Sequence, residues 1–357
     1  MSANRRERNV LRMEQRVFRK ENQPSLHSNP HWINHLPVLV VMPHSGCDCR
    51  CLMCDIWKDL KAREISEEQL QQHMASLKEL CVSWVVFSGG EPLLHSNLFA
   101  LTGLLRTAGI RVTLLSTGQR LSDFSAQVAR YTDDSILSLD GPESVHDAIR
   151  RVTGAFRKLV LGMEEVRRHK PDYPFSCRTT VQRANFRYLR QTLETARSAG
   201  FDSISYLAAD VTSTAFNHPE SWNERDREKV AVPKEDIIDL ENEIEHLIQE
   251  HASEIESGFI LESPEKLRRI VRHFKAQCGV VEPAAPRCNA PWVSAVVEAD
   301  GTVRPCFFHR AVGNIRNQPL VEIVNNSEAL LFRKSLDVET NPTCQRCVCS
   351  LYLNSTT

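Results

Sequence analysis

The sequence predicts an α/β protein with a parallel β-sheet, followed by a smaller cysteine-containing domain. Between residues 36 and 208, six short apolar runs alternate with segments whose apolar residues recur at helical spacing. This order is typical of parallel strands joined by helices, and it leaves open whether the sheet curls into a barrel. Two groups of cysteines, one after the first run and one beyond residue 285, indicate metal sites because cytosolic thiols stay reduced.

The predicted elements follow in order along the chain. The strands are residues 36–42, 84–88, 112–115, 135–139, 175–181 and 203–207. The first predicted helix begins at a capping box of Ser66 and Gln69. Three more are predicted at 98–105, 122–130 and 156–166, and a fifth runs from an N-cap at Asn185 to Gly200. From residue 211 to about 285 the alternation stops, and apolar stripes at helical spacing predict a helical linker.

Length and charge limit the class of protein. The 357 residues suffice for one large domain and a smaller one, and 44 Lys and Arg balance 45 Asp and Glu, which argues against a nucleic-acid partner. No apolar stretch approaches a transmembrane helix, and the polar extension 1–36 lacks a signal-peptide core, so we expect a cytoplasmic protein without a membrane partner. The remaining predicted parts are an α/β domain at 37–215, a helical linker at 216–285 and the cysteine-containing domain at 286–357.

The loop after the first strand carries four thiols within eight residues, Cys47, Cys49, Cys51 and Cys54. Three of them fall in the pattern Cys47-x3-Cys51-x2-Cys54. As thiolate ligands of three irons in a [4Fe–4S] cubane, they would leave the fourth iron free to bind a substrate or cofactor. A zinc knot formed by all four thiols is the alternative that the loop alone leaves open.

A second motif, Ser88-Gly89-Gly90-Glu91-Pro92, ends the second predicted strand. Together, the cysteine loop and this motif resemble the signatures of the radical SAM superfamily. The resemblance implies a partial (β/α)6 TIM barrel with its site at the carboxyl ends of the strands, and a [4Fe–4S] cluster on Cys47, Cys51 and Cys54. It also implies S-adenosylmethionine bound by Gly89, Gly90, Glu91 and Pro92. Cys49 falls outside the pattern and is predicted not to be a ligand.

The segment after the fourth strand adds to the resemblance. Ser138 and Asp140 match the family segment that contributes to the S-adenosylmethionine site, although a turn and helix cap would also explain these two residues. Thr117 stands where the family usually has Asn, so no role is transferred to it.

The second cysteine group surrounds a predicted hairpin. Cys288 and Cys306 flank two β-prone runs joined by Asp300-Gly301, and Cys344-x2-Cys347 follows. This arrangement resembles SPASM and Twitch domains, and most of all the auxiliary site of the butirosin-pathway aminocyclitol dehydrogenase. The resemblance implies a second [4Fe–4S] cluster on Cys288, Cys306, Cys344 and Cys347, with Cys349 as an alternative to Cys347. A four-cysteine zinc ribbon is the other interpretation.

The family resemblance implies a radical SAM oxidoreductase that cleaves S-adenosylmethionine reductively and takes a hydrogen atom from its substrate. A cluster with four protein ligands suits an electron acceptor, so we expect oxidation of a small hydroxylated molecule such as a sugar or aminocyclitol, with a flavodoxin or ferredoxin as electron donor. The alternatives are a maturase that crosslinks or epimerises a ribosomal peptide, a redox-neutral epimerase with Cys177 as candidate hydrogen donor, and a zinc-stabilised binding protein.

Overall fold

The computed structural model describes residues 29–59, 61–218 and 222–354, so most of the polar extension predicted at 1–36 lies outside the described residues. The described strands form one sheet in the order β6-β5-β4-β3-β2-β1-β7-β8-β9. The strands are β1 (Val38–Val41), β2 (Trp84–Phe87), β3 (Arg111–Ser116), β4 (Asp134–Ser138), β5 (Phe175–Val181), β6 (Ser203–Ala208), β7 (Ser294–Val297), β8 (Thr302–Arg304) and β9 (Gly313–Asn314).

Strands β1 to β6 are the six that the sequence predicts, and neighbours among them pair in parallel. Their ends differ from the prediction by at most two residues, and β5 spans the predicted range. Helices separate consecutive strands, as a partial (β/α)6 barrel requires. The predicted fold class is therefore confirmed, and the carboxyl ends of all six strands lie at one end of the barrel.

The helices cover the outside of the sheet and form the linker. They are α1 (Glu67–Glu79), α2 (Leu98–Thr107), α3 (Ser125–Tyr131), α4 (Glu143–Arg150), α5 (Ala155–His169), α6 (Leu189–Ser198), α7 (Glu224–Val230), α8 (Ile237–Glu250), α9 (Ala252–Glu256), α10 (Pro264–Gln277), α11 (Ala290–Val293), α12 (Leu320–Ile323), α13 (Ser327–Ser335) and α14 (Pro342–Gln345). Short 3-10 turns lie at Ile56–Lys58, Pro92–Leu94, Ser122–Phe124, Phe186–Tyr188, Ala215–Asn217 and Lys234–Asp236. None of the helices in the described ranges is long and apolar enough to cross a membrane.

Two predicted helix starts have different outcomes. The capping box before α1 is present: the Gln69 backbone N–H donates to the Ser66 hydroxyl at 3.2 Å, and the Ser66 N–H donates to the Gln69 side chain at 3.0 Å. Asn185 is at the N-cap position of the 3-10 turn Phe186–Tyr188 that leads into α6, as predicted, but its side chain makes no capping hydrogen bond. Its side-chain oxygen instead accepts from the Gln182 N–H at 2.8 Å, and its amide nitrogen donates to the backbone oxygens of Asp140 and Thr180.

The C-terminal hairpin continues the barrel sheet. Strand β7 pairs in parallel with β1, with Val38 opposite Ser294 and Val41 opposite Val297. The predicted Asp300-Gly301 turn then reverses the chain, and β8 pairs antiparallel with β7. Gly301 has φ +86°, a conformation that glycine adopts without strain. The second cysteine group is thus joined to the barrel by backbone hydrogen bonds.

Candidate active site

The cysteine loop leaves the carboxyl end of β1 and lies against the end of α4. The Arg50 N–H donates to the Arg150 carbonyl at 3.1 Å, and the Leu52 N–H donates to the Ile149 carbonyl at 3.1 Å. These two bonds fix the backbone on both sides of Cys51. Cys49 and Cys51 are buried, whereas Cys47 and Cys54 are half-buried.

A buried ion pair lies beneath this loop. The Arg150 guanidinium lies 2.6 Å from the Asp140 carboxylate and donates to the Cys51 sulfur at 3.4 Å. A hydrogen bond from the Cys49 thiol and the positive charge of Arg150 lower the pKa of Cys51 to about 7, against the effect of burial. This favours the thiolate, the form of cysteine that binds metals. Asp140, a predicted S-adenosylmethionine contact, is fully buried, and its carboxylate forms an ion pair with Arg150. Its role toward that cofactor stays a prediction.

The glycine motif contacts the cysteine loop directly. The Glu91 N–H donates to the Gly46 carbonyl at 2.8 Å. A Cβ on Gly90 would lie 1.9 Å from that same Gly46 oxygen, a distance that no side chain tolerates. Gly89 has φ +107°, which disfavours any residue with a side chain. Gly90 is therefore required by the close approach of the two motifs, and Gly89 by its backbone conformation.

Glu91 is fully buried and forms an acidic pair with the half-buried Asp48. Its carboxylate accepts hydrogen bonds from the Leu93 N–H at 2.9 Å, from the Ser116 hydroxyl at 2.9 Å and from the Thr117 N–H at 2.7 Å. The Thr117 hydroxyl lies 2.8 Å from Glu91 and 3.1 Å from Asp48, so it bridges the two acids. Burial, and next the negative charge of Asp48, raise the pKa of Glu91 to about 7.

The acidic pair offers a place for a cation. The second carboxylate oxygen of Asp48 is buried and has no hydrogen-bond partner among the described residues. Buried polar atoms of this kind are nearly always satisfied, here most simply by a bound group with N–H donors. The amino group of S-adenosylmethionine fits that requirement. Sequence reasoning missed Asp48 and Thr117, because the contact depends on the loops after β1 and β3 meeting.

The inner wall of the barrel is polar on the side of β4 to β6. Ser138, the last residue of β4, pairs in register with Arg178 of β5, whose guanidinium donates to the Ser205 hydroxyl at 3.3 Å. Because side chains alternate along a strand, Arg178 and Cys177 face opposite sides of the sheet. Cys177 is fully buried in the apolar core, and burial raises its pKa well above the ordinary value. The role of Ser138 toward S-adenosylmethionine stays a prediction.

The second group of cysteines also converges. The thiols of Cys288, Cys306, Cys344 and Cys347 are half-buried, and burial raises the pKa of Cys306 and Cys344 to about 11, with a further contribution from neighbouring cysteines. The His309 ring lies 3.4 Å from the Cys344 sulfur. Mutual charge effects among these cysteines indicate that they lie in one region, and their selection as ligands stays a prediction.

Cys349 is a fifth thiol at this site. The Cys347 thiol donates to its carbonyl at 2.8 Å. Burial raises the pKa of Cys349, and the charges of Arg178 and Arg269 oppose that effect. Arg178 belongs to the inner wall of the barrel, so a charge on that wall acts on a thiol of the second cysteine group.

The donor sets fit iron–sulfur clusters. Within the described residues, no three His, Cys, Asp or Glu side chains are arranged to hold a single metal ion. Both groups supply thiols. In the first group the pKa of Cys51 is lowered, whereas burial raises the pKa of Cys47 and of Cys54. Thiolates are the usual ligands of [4Fe–4S] clusters.

Comparison with known families agrees with this chemistry. A model described as the radical SAM superfamily matches residues 41–196, and a model described as the SPASM iron-sulfur cluster-binding domain matches residues 288–348. The chain contains a radical SAM domain and a SPASM domain. The first domain implies a [4Fe–4S] cluster and S-adenosylmethionine, and the SPASM domain implies auxiliary iron–sulfur binding. The resemblance stated from the sequence is therefore confirmed.

Relatives and solved structures extend the comparison. This protein is 28% identical over 309 residues to AdoMet-dependent heme synthase of Methanosarcina barkeri, covering 83% of each chain. It is 28% identical over 177 residues to pre-heme d1 synthase of Dinoroseobacter shibae, covering 48% of this chain and 43% of that protein. Streptococcus suis SuiB bound to S-adenosylmethionine superposes with a TM-score of 0.63 at 12% identity, covering 98% of this chain and 77% of SuiB. Native anSMEcpe with bound AdoMet superposes with a TM-score of 0.59 at 20% identity, covering 83% of this chain and 82% of anSMEcpe. The two structures show the same fold.

Replacing Cys49 by serine is expected to leave the iron and sulfide content of the protein unchanged. Cys49 is buried on the inner side of the loop, and Cys47, Cys51 and Cys54 already satisfy the family spacing. Serine keeps a donor toward Cys51, so the loop should remain folded. Cys51→Ser is the matched control and should lose the first cluster. Loss of iron from Cys49→Ser, with retention in Cys51→Ser, would show that the ligand register is wrong.

Proposed function

We propose that Cys47, Cys51 and Cys54 hold a [4Fe–4S] cluster, that Gly89, Gly90, Glu91 and Pro92 bind S-adenosylmethionine, and that the enzyme oxidises its substrate. The observation that carries the proposal is the hydrogen bond from Glu91 to Gly46, because it joins the cysteine loop to the glycine motif at the mouth of the barrel. When bound, the cluster and S-adenosylmethionine supply hydrogen abstraction, and an auxiliary cluster supplies an electron acceptor.

The protein's own residues orient these groups and exclude water. Glu91 and Asp48 provide buried negative charge for the amino group of S-adenosylmethionine, and Thr117 fixes the separation of the two acids. The Asp55 N–H donates to the Phe216 carbonyl at 3.0 Å, and the Met53 carbonyl lies 3.1 Å from the His218 ring. These bonds keep the segment after β6 over the cysteine loop, where it limits access of water to reactive species.

The auxiliary site supports an oxidative outcome. We propose Cys288, Cys306, Cys344 and Cys347 as its ligands. Four protein ligands leave no iron open for the substrate, which suits electron transfer better than substrate binding. The Cys347 thiol donates to the Cys349 carbonyl, and the charge of Arg178 on the barrel wall acts on the Cys349 thiol, which supports electron transfer between this site and a substrate in the barrel.

The substrate class that the relatives favour is a tetrapyrrole. The heme synthase relative matches over 83% of both chains, and heme carries carboxylate side chains. Neighbours solved with bound peptides share the fold at identities of 12 and 19%, and a likeness of that size does not extend to a substrate. The small hydroxylated molecule predicted from the sequence remains a second candidate, because Ser138, Thr180 and Ser205 line the barrel wall with hydroxyls.

Replacing Cys344 and Cys347 together by alanine is expected to spare formation of 5′-deoxyadenosine while sharply reducing the oxidised product. The change removes two of the four proposed auxiliary ligands and leaves the first cysteine loop intact. The measurement is the ratio of 5′-deoxyadenosine to oxidised product with iron coproporphyrin III as substrate. Cys81→Ala, which removes an exposed thiol outside both groups, is the control.

Circular dichroism must first show that the double variant is folded, since a bound metal can contribute to domain stability. Normal turnover by the double variant would contradict the electron-acceptor role. Return of deuterium from solvent to substrate by the wild type, with no net oxidation, would favour an epimerase instead.

A further inference from the structure

A cavity of about 690 Å³ lies beside the auxiliary cysteines. Its walls come from the loops after β5 and β6, from α7, from the second half of α10 and from residues 345–347. Cys347, a proposed cluster ligand, lines one side. The volume falls in the range of pockets that bind ligands of several hundred daltons.

The cavity is lined with unpaired positive charge. Six cationic residues line it, against the two acids Glu224 and Glu228; the six are Arg183, Arg227, Lys234, Arg269, Arg272 and Arg346. Ion pairs are common elsewhere on α10: Arg268, which does not line the cavity, lies 2.6 Å from Glu245, and Lys275 lies 2.7 Å from Glu241. In the parts of the chain that the structure describes, none of the six cations has a carboxylate within 4.0 Å.

The polar side chains on the floor of the cavity are partly or fully buried, and not all of them have hydrogen-bond partners among the described residues. Arg269 is half-buried and donates to the Cys347 carbonyl at 2.5 Å, which connects the cavity to the auxiliary site. The side-chain oxygen of Gln277 is buried and has no partner among the described residues. Burial lowers the pKa of the adjacent His273 to about 4, so that ring adds no positive charge at neutral pH. The excess of positive charge therefore belongs to the arginines and Lys234.

The surfaces between the cations are apolar. Val211, Ala231, Val232, Pro233, Ala276 and Ala284 form the intervening lining. The cations themselves come from five separate parts of the chain, so a single small anion would reach only one or two of them. A ligand with an apolar body and carboxylates distributed around its edge would contact several at once, since guanidinium groups bind carboxylates with paired hydrogen bonds.

We propose that this cavity binds the carboxylate groups of an apolar, multiply carboxylated ligand, and that this ligand is the substrate. The inference rests on the proposed function for the identity of the ligand as substrate. The binding itself follows from the cations and apolar walls. Arg269 then places the bound ligand next to the auxiliary cluster ligand Cys347.

Equilibrium ultrafiltration with coproporphyrin III tests the proposal on the reconstituted full-length protein. The variant Arg227→Gln, Lys234→Gln, Arg272→Gln removes three exposed cations that do not touch the proposed cluster ligands. We expect its Kd to rise about tenfold, the size expected for the loss of three partly solvated ion pairs. Arg268→Gln removes one charge from the same helix outside the cavity and should leave the Kd unchanged. Iron content and circular dichroism should match the wild type in both.

Two further measurements separate the sources of binding. Coproporphyrin III tetramethyl ester, which lacks the carboxylate charges, should bind the wild type weakly. Inorganic phosphate should compete poorly with coproporphyrin III, compared with a chloride control at the same ionic strength. Equal binding of acid and ester, strong competition by phosphate, or an unchanged Kd in the triple variant would each overturn the proposal. So would a triple variant that loses affinity for flavodoxin while it still binds the porphyrin, because the cations would then serve protein docking.

Cleavage of S-adenosylmethionine by the wild type is measured separately. A wild type that shows the charge-dependent porphyrin binding supports the cavity proposal whether or not it cleaves S-adenosylmethionine. Absence of cleavage would count against the proposed function alone.

Discussion

Replacing Cys47, Cys51 and Cys54 together by alanine is expected to abolish reductive cleavage of S-adenosylmethionine. The three thiols are the proposed ligands of the cluster that supplies the electron, and Arg150 favours the thiolate at Cys51. The second cysteine group is untouched, so about four irons per chain should remain after anaerobic reconstitution, the content of one cubane. The measurements are iron, acid-labile sulfide and 5′-deoxyadenosine formed with a chemical reductant.

A double variant of Cys81 and Cys278 to alanine is the control for loss of thiols in general. Neither residue belongs to the two groups, so iron content and cleavage should match the wild type. Stoichiometric zinc with no acid-labile sulfide in the anaerobic wild type would contradict the cluster assignment. Retention of cleavage by the triple variant would do the same.

Replacing Gly90 by alanine is expected to abolish binding of S-adenosylmethionine and to lower the thermal midpoint of unfolding. The new Cβ would lie 1.9 Å from the backbone oxygen of Gly46, so the cysteine loop and the glycine motif must move apart. Overpacking of this kind costs about 1–3 kcal/mol of stability. The displaced loop also carries Glu91, which lies against Asp48 and Thr117. Equilibrium binding of labelled S-adenosylmethionine and a thermal melt measure the two effects.

Gly103→Ala is the matched control for the glycine-to-alanine change. A Cβ on Gly103 meets nothing within 4 Å, and the residue lies inside helix α2. Alanine there should raise stability by about 0.5–1 kcal/mol, because glycine is the weaker helix former. Normal binding of S-adenosylmethionine by Gly90→Ala would show that the two loops are not both required where the structure has them.

The barrel could be predicted because each of its elements is encoded locally. Strand β5 and the capping box of α1 were predicted at the residues where they occur, since alternation and capping depend on neighbours in sequence. The pairing of β7 with β1 has no local signal: Ser294 and Val38 are distant in sequence, and nothing in either run specifies its partner. Asn185 makes no capping hydrogen bond because its side-chain oxygen accepts from the Gln182 N–H instead.

In the candidate site, too, the features encoded by local spacing were predicted, and the contacts between distant segments were not. Cysteines and glycines were selected by their spacing, and the structure brings Gly90 against Gly46. The bridge of Thr117 between Glu91 and Asp48 was missed, because it forms only when the ends of β1, β2 and β3 lie side by side. Asp140 was selected as a cofactor contact, which stays a prediction, and its ion pair with Arg150 has no signal in the sequence. That ion pair depends on helix α4, which the sequence analysis did not predict.

The parallel pairing of β7 with β1 has a consequence for solubility. Without residues 294–297, the N–H and C=O groups along Val38–Val41 would lose their partners on that side, and the Met42 N–H would lose the Val297 carbonyl. An exposed edge strand of consecutive valines and leucine invites pairing with the same strand of another molecule. Removing the C-terminal cysteine domain would therefore do more than delete a cluster site. It would leave a barrel prone to aggregation, so the SPASM hairpin also protects the first strand from intermolecular contact.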